Sequence, residues 1–478
     1  MVGGYATDDG WRNVSFNPSG LDKLQRILKC GELHTDENAD LLTRLNLALQ
    51  AEVMLRRDID YLVHDGQIAL IDELTGRVAE NRRWPYGLQA AIEAKEDLPI
   101  EPQGKILNSI TLQHFLEQYE CISGMKGTAQ EAAEELYEFY GMKVVVVPPH
   151  RPCIRRDQPD RIFPTKAAKH DALVHEIARL HASSRPALVG TASVEESEKL
   201  AALVSASGIA CRVLNARNDR AEAAVVTEAG ALGRVTISTN MAGRGTDIRL
   251  GGSDEQERAD VVALGGLYVL GTNRHESRRI DHQLRGRAGR QGDPGETRFF
   301  VSIEDDLIRR HGIEKLVAAA EVAEGARLDE PRAGRKIAHV QRVIEGQSFE
   351  IRRTLRKYSY VLERQRRLVH EGRKNLLAGG DLPSLVRTKE PEFYEALVGK
   401  FGESVIRDVE REITLCQIDR CWCEHLSRVA EIREGIHLMS IGGLNAFDEF
   451  NLQVNTAFRE LSRRIEEEGL SCSVENAC

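Results

Sequence analysis

The sequence predicts a multidomain protein of the α/β plus α class, with a parallel-sheet lobe, an α+β domain and a long-helix scaffold. Three observations predict it. The 478 residues exceed the roughly 250–300 over which one hydrophobic core keeps growing. Short β-branched runs alternate with amphipathic helices between about residues 153 and 315, as in a parallel sheet. An apolar seam then follows a single helix of roughly 40 residues.

Composition and charge indicate an ordered protein without general attraction for polyanions. Hydrophobic residues make up 41%, charged residues 29%, and the formal net charge is −9. A site for phosphate or nucleic acid must therefore be a local patch. The nine cysteines are scattered from Cys30 to Cys478, which predicts reduced thiols. No signal peptide is expected, and no window reaches the ~18 apolar residues that a membrane span needs.

Residues 1–98 mix helical and strand patterns, with a helical run from Leu41 to Leu55 and short strands within YLVHDGQIALIDEL. From 153 to 315 the strand runs are ALVGT, CRVLNA, VTIST, LYVLGT and TRFFVSI, with helices beginning at Val194 and about Ser277. This pattern predicts a parallel sheet with helices on both faces. Ligands of such sheets bind at the carboxyl ends of the strands.

Beyond about residue 316 the chain is predicted to be helical. Apolar positions three or four apart form the seam of the long helix: Ile337, Val340, Ile344, Ser348, Ile351, Leu355, Tyr358, Leu362, Gln365 and Val369. Two later stripes flank a glycine-containing stretch, MSIGGLN, and predict two antiparallel helices: Ile418, Trp422, Leu426, Val429 and Ile436, then Phe447, Phe450, Val454, Phe458, Leu461 and Ile465.

The stretch QLRGRAGRQGDPGE concentrates arginines and glycines in an acidic chain. Gln283, Gly286, Arg287 and Arg290 have the spacing Q-x-x-G-R-x-x-R, which places the two arginines one helical turn apart on a shared face. Guanidinium stays charged and offers a planar fork to phosphate oxygens, so the pair suits charge developing on a transferring phosphoryl group. The alternative is a solvated cationic turn.

The stretch TNMAGRGTDIRLGG directly follows the strand VTIST. Arg244 brings charge, Gly245 frees the backbone, and Asp247 can accept hydrogen bonds from a sugar hydroxyl or orient an arginine. Alone it also fits a strand-to-helix loop with a capping aspartate. Together with the arginine pair, it predicts the second lobe of a helicase-type, RecA-like ATPase core, which faces nucleotide held by a first lobe.

The run GLYVLGTNRHESRRIDHQLRGRAGRQGDPGETRFFVSIEDDL resembles SecA, the bacterial preprotein translocase motor. Further stretches resemble it too: TNMAGRGTDI, LVGTASVEESEKLA, GMKGTAQEAAEE, RRDIDYLVHDGQIALIDELTGR, NRRWPYGLQAAIEAKE, and CQIDRCWCEHL with IREGIHL. The resemblance extends from about residue 15 to 468, and its motifs are long and ordered.

The resemblance implies six segments. They are a partial preprotein cross-linking domain (1–98), the end of the first nucleotide-binding lobe (99–152), a second RecA-like lobe (153–315), a helical scaffold with a reduced wing (316–409), a two-helix finger (410–470) and a tail (471–478). The turn of the finger, around Ser440 to Leu444, would contact the translocating chain.

The resemblance also implies residue roles and partners. Arg287 and Arg290 are the expected catalytic residues, and the expected nucleotide-binding residues are Asp247, Arg244, Gly245 and Gln283. Gly127 and Thr128 lie in the coupling motif SGMKGTA, where Lys126 replaces the family's usual threonine. The implied cofactor is ATP with Mg²⁺. The implied partners are unfolded preprotein, a SecYEG-type membrane channel and an anionic phospholipid surface, at the cytoplasmic face of the bacterial cell membrane.

Departures from the family concern the phosphate cradle. No G-x-x-x-x-G-K-[ST] occurs in the sequence, so the backbone amides that surround phosphates are missing. The stretch IALIDEL has the pattern of a Walker B strand, with acidic residues at Asp72 and Glu73. It corresponds to the cross-linking domain, however, and is not expected to bind Mg²⁺. We therefore expect an N-terminally incomplete member that is inactive alone. A complementary nucleotide-binding lobe would supply the rest of the ATP site. A homodimer is the other expected assembly.

No metal site is predicted. The tail carries Cys472 and Cys478 without the family's cysteine and histidine zinc cluster. Cys421, Cys423 and His425 lie on one predicted helix, where the two thiols diverge.

Three functional hypotheses follow: a SecA-like translocation subunit, a noncatalytic remnant or substrate-binding fragment, and a nucleic-acid helicase lobe. Against the third, the sequence shows no aromatic-rich basic groove for stacking bases, so no nucleic-acid partner is expected. Residues 335–374 contain twelve Lys/Arg and four Glu. Either lipid or RNA phosphates or a solvated scaffold face would account for this run.

Overall fold

The structure is a computed structural model of the chain. It describes residues 4–7, 14–71, 78–79, 82–84, 87–101, 106–214, 222–239, 246–253, 256–312, 331–380, 384–436 and 445–475. The chain forms two compact units, and each is described by itself. The first comprises Met1–Pro102 with Val145–Gly346, and the second comprises Gln103–Val144 with Gln347–Cys478.

The helices and strands follow the sequence patterns closely. The helices are α1 (Pro18–Leu28), α2 (Ala39–Val53), α3 (Leu88–Lys95), α4 (Leu112–Leu116), α5 (Ala133–Tyr140), α6 (Lys166–Ala182), α7 (Val194–Ala206), α8 (Glu222–Glu228), α9 (Arg258–Ala263), α10 (Arg278–Arg285), α11 (Asp306–Arg310), α12 (Pro331–Leu377), α13 (Leu385–Lys389), α14 (Pro391–Phe401), α15 (Glu403–Gly435) and α16 (Ala446–Glu475). The strands are β1 (Tyr5–Thr7), β2 (Val14–Phe16), β3 (Tyr61–His64), β4 (Gln67–Leu70), β5 (Arg156–Asp157), β6 (Arg161–Phe163), β7 (Ala187–Thr191), β8 (Arg212–Leu214), β9 (Val235–Thr239), β10 (Leu267–Gly271) and β11 (Gly295–Ser302).

A parallel sheet of seven strands forms the centre of the first unit. Its strands lie in the order β5, β11, β10, β7, β9, β8, and β6 also pairs with β11. Each of these pairings is parallel. The predicted α/β lobe is therefore confirmed, and β7 to β11 correspond to the five strand runs read from the sequence.

The sheet is buried on both faces because successive residues of a strand point to opposite sides. In β10 and β11, Leu267, Val269 and Phe299 belong to one core, which α8, α10, α11 and the start of α12 cover. Tyr268 and Phe300 belong to the other core, which α6 and α7 cover. A sheet covered on both faces explains strands that are apolar throughout.

Side-chain caps fix where α6 and α7 begin. The Thr165 hydroxyl accepts a hydrogen bond from the Ala168 amide at 3.1 Å. The Ser193 hydroxyl accepts one from the Glu196 amide at 3.1 Å, and the Glu196 carboxylate accepts one from the Ala192 amide at 3.0 Å. Both caps satisfy amides that a helix start leaves unpaired. They set the loops that follow β6 and β7 at the carboxyl edge of the sheet.

Residues up to Leu98 contain the predicted mixture of helices and strands. β1 and β2 pair antiparallel, and β3 and β4 form a hairpin. The hairpin turns at Asp65 and Gly66, whose φ angles are 51° and 75°, as Asp-Gly favours in tight hairpins. The hairpin packs on α2 and α3 through a core that includes Tyr61 and Ile92, both completely buried.

The second unit contains the two antiparallel helices predicted from the apolar stripes. Trp422 and Leu461 share one buried cluster, and Val429 and Val454 share the next. Ion pairs link α15 and α16 in antiparallel order, because a partner nearer the start of α15 lies nearer the end of α16. The pairs are Arg428 with Glu460, Glu424 with Arg464, and Arg420 with Glu468. The predicted turn at Ser440 to Leu444 lies outside the described residues.

The long helix α12 has 47 residues, as the sequence pattern indicates, but its seam is not continuous. Ile337 and Ile344 are buried in the sheet core of the first unit, and Leu362 packs against core clusters of the second. Between them, Ile351 and Leu355 are 46% and 59% exposed. The apolar pattern therefore continues along the helix, but it is exposed at these two positions.

Several basic residues of α12 pair with carboxylates. Arg352 pairs with Glu135 at 2.9 Å, and Arg356 pairs with Glu117 at 3.0 Å. Within the helix, Arg366 pairs with Glu363 at 2.7 Å. These pairs offset part of the positive charge in this run.

A buried lysine joins three segments at the carboxyl edge of the sheet. Lys169 of α6 is 1% exposed. Its ammonium donates to the Asp305 carboxylate at 2.6 Å and to the Thr272 carbonyl at 2.8 Å. Burial raises the pKa of Asp305, so this carboxylate depends on its partner to stay charged.

We predict that Lys169→Met destabilises the chain by about 3–5 kcal/mol, because it leaves a buried carboxylate unpaired. The matched control is Lys166→Met on the same helix, which removes a solvent-exposed pair with Asp306 and should cost about 0–1 kcal/mol. Adding Asp305→Asn to Lys169→Met should recover part of the loss. Urea unfolding measures all three variants, and equal effects of the two lysine substitutions would contradict the prediction.

A second prediction concerns His425 of α15, which is 4% exposed and bonds Gln365 through Nε2 at 2.9 Å. Burial lowers its pKa to about 4, below the value of about 6.5 in an unfolded chain. Because the unfolded chain binds the proton first, stability is lost as pH falls from about 6.5 toward 4. Between pH 7 and 5 this loss should reach about 2 kcal/mol.

His425→Gln keeps a side-chain N–H donor for Gln365 and cannot titrate. Its urea-unfolding stability should therefore fall less than that of the natural chain over the same pH interval. Parallel pH profiles for the two proteins would show that His425 does not titrate as proposed.

Candidate functional site

Residues 286–292, here called the arginine turn, follow α10 directly. The helix ends at Arg285, with Gly286 as its C-cap. Gly289 has a φ of 71°, and a Cβ there would lie 2.5 Å from the Cβ of Arg155, so glycine is required. The expectation that Arg287 and Arg290 share one helical face is wrong, because the helix has already ended.

Two contacts fix the side chain of Arg290 and leave it partly exposed to solvent. Its Nη1 donates to Oδ1 of Asp247 at 2.7 Å, and its Nε donates to the Gly286 carbonyl at 2.8 Å. The side chains of Arg290 and Asp247 remain 40% and 58% exposed. The turn therefore fixes the guanidinium on one side and leaves it accessible on the other.

Arg287 lies deeper, with 9% of the residue exposed. Its Nη1 is 3.4 Å from the Thr246 carbonyl. It lines a small cavity together with Thr236 and Ser238 of β9. The cavity has room for about one water, far less than a nucleotide occupies.

The structure thus brings the two sequence-predicted loops together. Both arginines reach the residues that follow β9, Arg287 at Thr246 and Arg290 at Asp247. Gln283 is half-buried on α10 and makes no side-chain hydrogen bond to the residues that the structure describes. Arg244 and Gly245, the other predicted members, lie outside those residues, as do Asp72 and Glu73.

Gly127 and Thr128 belong to the second unit. Thr128 precedes a short 3₁₀ turn, Ala129–Ala132, without capping it. Its hydroxyl is buried and has no hydrogen-bond partner within the described part of the chain.

The third arginine of the motif plays a different part. The side chain of Arg285 is 16% exposed and lies 3.5 Å from Asp157, with its guanidinium 5.2 Å from the ring centroid of Phe299. Burial and the nearby Arg274 lower the pKa of Arg285. Its guanidinium is therefore occupied by Asp157 and Phe299 and is less exposed than that of Arg290.

Sequence reasoning missed two residues at β5 and just before it that support the turn. Burial opposes ionisation of Asp157, but hydrogen bonds from Arg155 and Thr297 lower its pKa to about 2. Arg155 also reaches the Ala288 carbonyl with Nη1 at 3.3 Å. The only available signal was an aspartate within the basic run RPCIRRDQPDR.

Sequence reasoning also missed a buried ion cluster before α10. Arg274 donates to both carboxylate oxygens of Asp160, at 2.9 and 2.7 Å, and to Asp281 at 3.0 Å. Its guanidinium lies 4.1 Å from the ring centroid of Phe299. Burial would lower the pKa of Arg274, but Asp160 and Asp281 raise it above its ordinary value.

The arrangement can stabilise negative charge brought to the carboxyl edge of the sheet, with one accessible and one buried guanidinium. Among the described residues, no group of three or more His, Cys, Asp or Glu side chains is placed to hold a metal ion. Cys423 lies 3.7 Å from the Leu107 carbonyl, and His425 bonds Gln365. No helix in the described ranges combines the length and apolarity needed to cross a bilayer.

Three family models match the chain in order. The SecA preprotein cross-linking domain matches residues 3–93, the SecA P-loop domain matches 152–260 and 253–325, and the SecA Wing and Scaffold domain matches 328–403 and 384–475.

Curated relatives match nearly all of this chain. Protein translocase subunit SecA 2 of Thermobifida fusca is 45% identical over 456 residues, 95% of this chain and 59% of the relative. Protein translocase subunit SecA 2 of Corynebacterium diphtheriae is 45% identical over 461 residues, 96% of this chain and 60% of the relative. Protein translocase subunit SecA 3 of Mycolicibacterium vanbaalenii is 43% identical over 466 residues, 96% of this chain and 59% of the relative.

The chain therefore spans about three-fifths of the length of these relatives. The family models cover the lobe that carries the arginine turn as well as the segments before and after it. The chain belongs to the SecA family.

Proposed function

We propose that the chain is a SecA-type translocation subunit that presents Arg287 and Arg290 to the terminal phosphates of ATP held by a complementary nucleotide-binding lobe. Phosphate contact at the arginine turn would be coupled to movement of an unfolded preprotein. The observation that carries the proposal is the half-exposed Arg290, fixed by Asp247 and Gly286 beside the buried Arg287.

The residues present fit the phosphates of a nucleotide but not the whole of it. Two guanidiniums suit phosphate oxygens, whereas the cavity beside Arg287 holds about one water. The sequence has no G-x-x-x-x-G-K-[ST] to cradle the phosphates. The described carboxylates form no cluster for Mg²⁺. We propose that the cradle and Mg²⁺ belong to the complementary lobe.

Each residue of the site would act through charge and position. ATP supplies the phosphoryl group whose negative charge spreads over its oxygens during transfer. Arg290 would leave or share its contact with Asp247 to meet that charge. Arg287, already desolvated, would act in a region where electrostatic interactions are stronger than in water.

An exposed apolar stretch supports the existence of a partner surface. Val145, Val146 and Val147 are 79%, 71% and 81% exposed, and they lie in neither a helix nor a strand. Consecutive β-branched residues favour strands, and adjacent exposed apolar residues commonly mark interaction sites. A complementary lobe that covers this stretch is consistent with the proposal.

The remaining partners are proposed from family membership. They are unfolded preprotein, a SecYEG-type membrane channel and an anionic phospholipid surface, which would place the protein in the cytoplasm and at the inner face of the cell membrane.

A second candidate is a noncatalytic preprotein-binding subunit. It is favoured by the match of residues 3–93 to the SecA preprotein cross-linking domain together with the missing phosphate cradle. The two candidates differ in whether the arginine turn affects nucleotide turnover.

The first test is ATP hydrolysis by the purified chain, alone and mixed with the nucleotide-binding lobe of a SecA relative. The chain alone should show no turnover above background, because it lacks a phosphate cradle, and the mixture should hydrolyse ATP. Arg287→Lys and Arg290→Lys should each lower the rate of the mixture by about 10³–10⁵, the range typical of arginines that stabilise phosphoryl transfer.

The matched control is Arg309→Lys in the same lobe, a 61%-exposed arginine paired with Glu304, which should leave turnover within about twofold. Vigorous hydrolysis by the chain alone, or an unchanged rate in Arg287→Lys and Arg290→Lys, would refute the proposed role.

A separate test addresses preprotein binding. The full chain should bind a fluorescently labelled, unfolded preprotein in an anisotropy titration, and Arg290→Lys should change the affinity by less than about twofold, because the turn is not proposed to touch preprotein. Binding without arginine-dependent hydrolysis would favour the noncatalytic candidate. Failure of the natural chain to bind would contradict both.

A further inference from the structure

Two side chains of the long helix α12 form hydrogen bonds at the start of α10. The Glu345 carboxylate accepts a hydrogen bond from the Arg278 amide at 2.8 Å and another from Arg278 Nε at 2.9 Å. Gln341 donates through Nε2 to the His275 carbonyl at 2.6 Å and to Oδ2 of Asp281 at 2.8 Å. Gln341 and Glu345 are four residues apart and therefore share one helical face.

Glu345 takes the place of the usual capping residue. Ser277 precedes α10 but makes no side-chain cap, so a carboxylate from another helix satisfies the first amide. A negative charge at this end also complements the helix dipole. The start of α10 therefore depends on the position of α12.

Asp281 makes this contact rigid. It is completely buried and accepts hydrogen bonds from the His275 amide at 3.2 Å, from His275 Nδ1 at 2.8 Å, from Arg274 at 3.0 Å and from Gln341. A buried carboxylate is strongly destabilised when it loses a partner. Gln341 therefore binds a group that has little freedom to move.

The arginine turn begins at the other end of the same short helix. α10 has eight residues, about 12 Å at 1.5 Å per residue. Helical bonding continues past its end, from the Gly286 amide to the His282 carbonyl at 2.8 Å and from the Arg287 amide to the Leu284 carbonyl at 3.0 Å. A change in the direction of α10 at its start must therefore move Arg287 at its end.

We propose that Gln341 and Glu345 are positioning residues for the arginine turn, setting the direction of α10 from the long helix α12. Neither residue contacts the turn, so both act through α10. The significance of this position for nucleotide chemistry rests on the proposed function, whereas the positioning itself can be measured without nucleotide.

The alternative is that the two side chains only add stability to the lobe. Local and global effects separate these possibilities. Loss of a purely stabilising contact accelerates amide exchange through global unfolding, throughout the lobe, whereas loss of a positioning contact accelerates it at α10 and the turn first.

The test is hydrogen–deuterium exchange, read by mass spectrometry, on the full chain and on the double variant Gln341→Met/Glu345→Gln. Amides of residues 283–289 should exchange about tenfold faster or more in the variant, while those of β9 change by less than about twofold. The control is Ile337→Val, which trims a completely buried side chain of the same helix and leaves both polar contacts intact. It should not single out residues 283–289.

Glu345→Gln alone keeps an oxygen that accepts from the Arg278 amide and provides a milder variant if the double variant folds poorly. It should accelerate exchange at the same amides by a smaller factor. Uniform acceleration across the lobe in these variants, or a pattern identical to that of Ile337→Val, would overturn the proposal.

A second arm separates this inference from the proposed function. With the nucleotide-binding lobe of a SecA relative and ADP–fluoroaluminate present, protection of 283–289 should increase in the natural chain and increase less in the double variant. Suppose that the double variant speeds exchange at residues 283–289 as expected, but nucleotide does not increase their protection in the natural chain or in the variant. The positioning role is then supported and the proposed function is refuted. If the first arm fails, the positioning is refuted whatever the response to nucleotide.

Discussion

The first unit depends on one buried electrostatic cluster, in which Arg274 binds both Asp160 and Asp281 above the ring of Phe299. Removing such charges from water is costly, and their attraction offsets this cost only when every partner is present in good geometry. The cluster therefore fixes the loop after β5, the end of β10 and the start of α10 relative to one another. These are the segments that determine where the chain enters the arginine turn.

The turn is consequently held from two sides. Arg155, just before β5, reaches the Ala288 carbonyl of the turn, and Asp157 of β5 pairs with Arg285 at the end of α10. The helix α12 holds the start of α10. Between these supports Arg290 stays accessible, oriented by Asp247. Under the proposed function, the buried Arg287 is fixed before its ligand arrives and would need little reorganisation when phosphate charge develops, which is the physical basis of electrostatic catalysis. Arg290 would in addition leave or share its contact with Asp247. The same rigidity makes the site sensitive to any shift of α12 relative to the sheet.

Much of this fold could be predicted because strands, helix starts and the glycine-rich arginine motif have local signals. The helix beginning at Val194 and the strand runs of the sheet are examples. The rest depends on contacts between residues distant in sequence, which periodicity does not reveal. Asp281 looks like an ordinary helical aspartate until Gln341 and Arg274 are placed against it. The helix ends at Arg285 with Gly286 as its C-cap, before the two arginines that the spacing placed on one helical face. The exposed Ile351 and Leu355 show that an apolar pattern does not guarantee a covering partner.

Under the proposed function, the arginine turn binds the terminal phosphates of a nucleotide presented by another lobe. The most direct measurement is a cryo-electron microscopy or crystal structure of the chain bound to such a lobe with ADP–fluoroaluminate. We expect guanidinium nitrogens of Arg287 and Arg290 within about 3 Å of the fluoroaluminate or a phosphate oxygen. A complex in which nucleotide is bound while Arg290 stays on Asp247, and both guanidiniums remain out of reach of the phosphates, would contradict it.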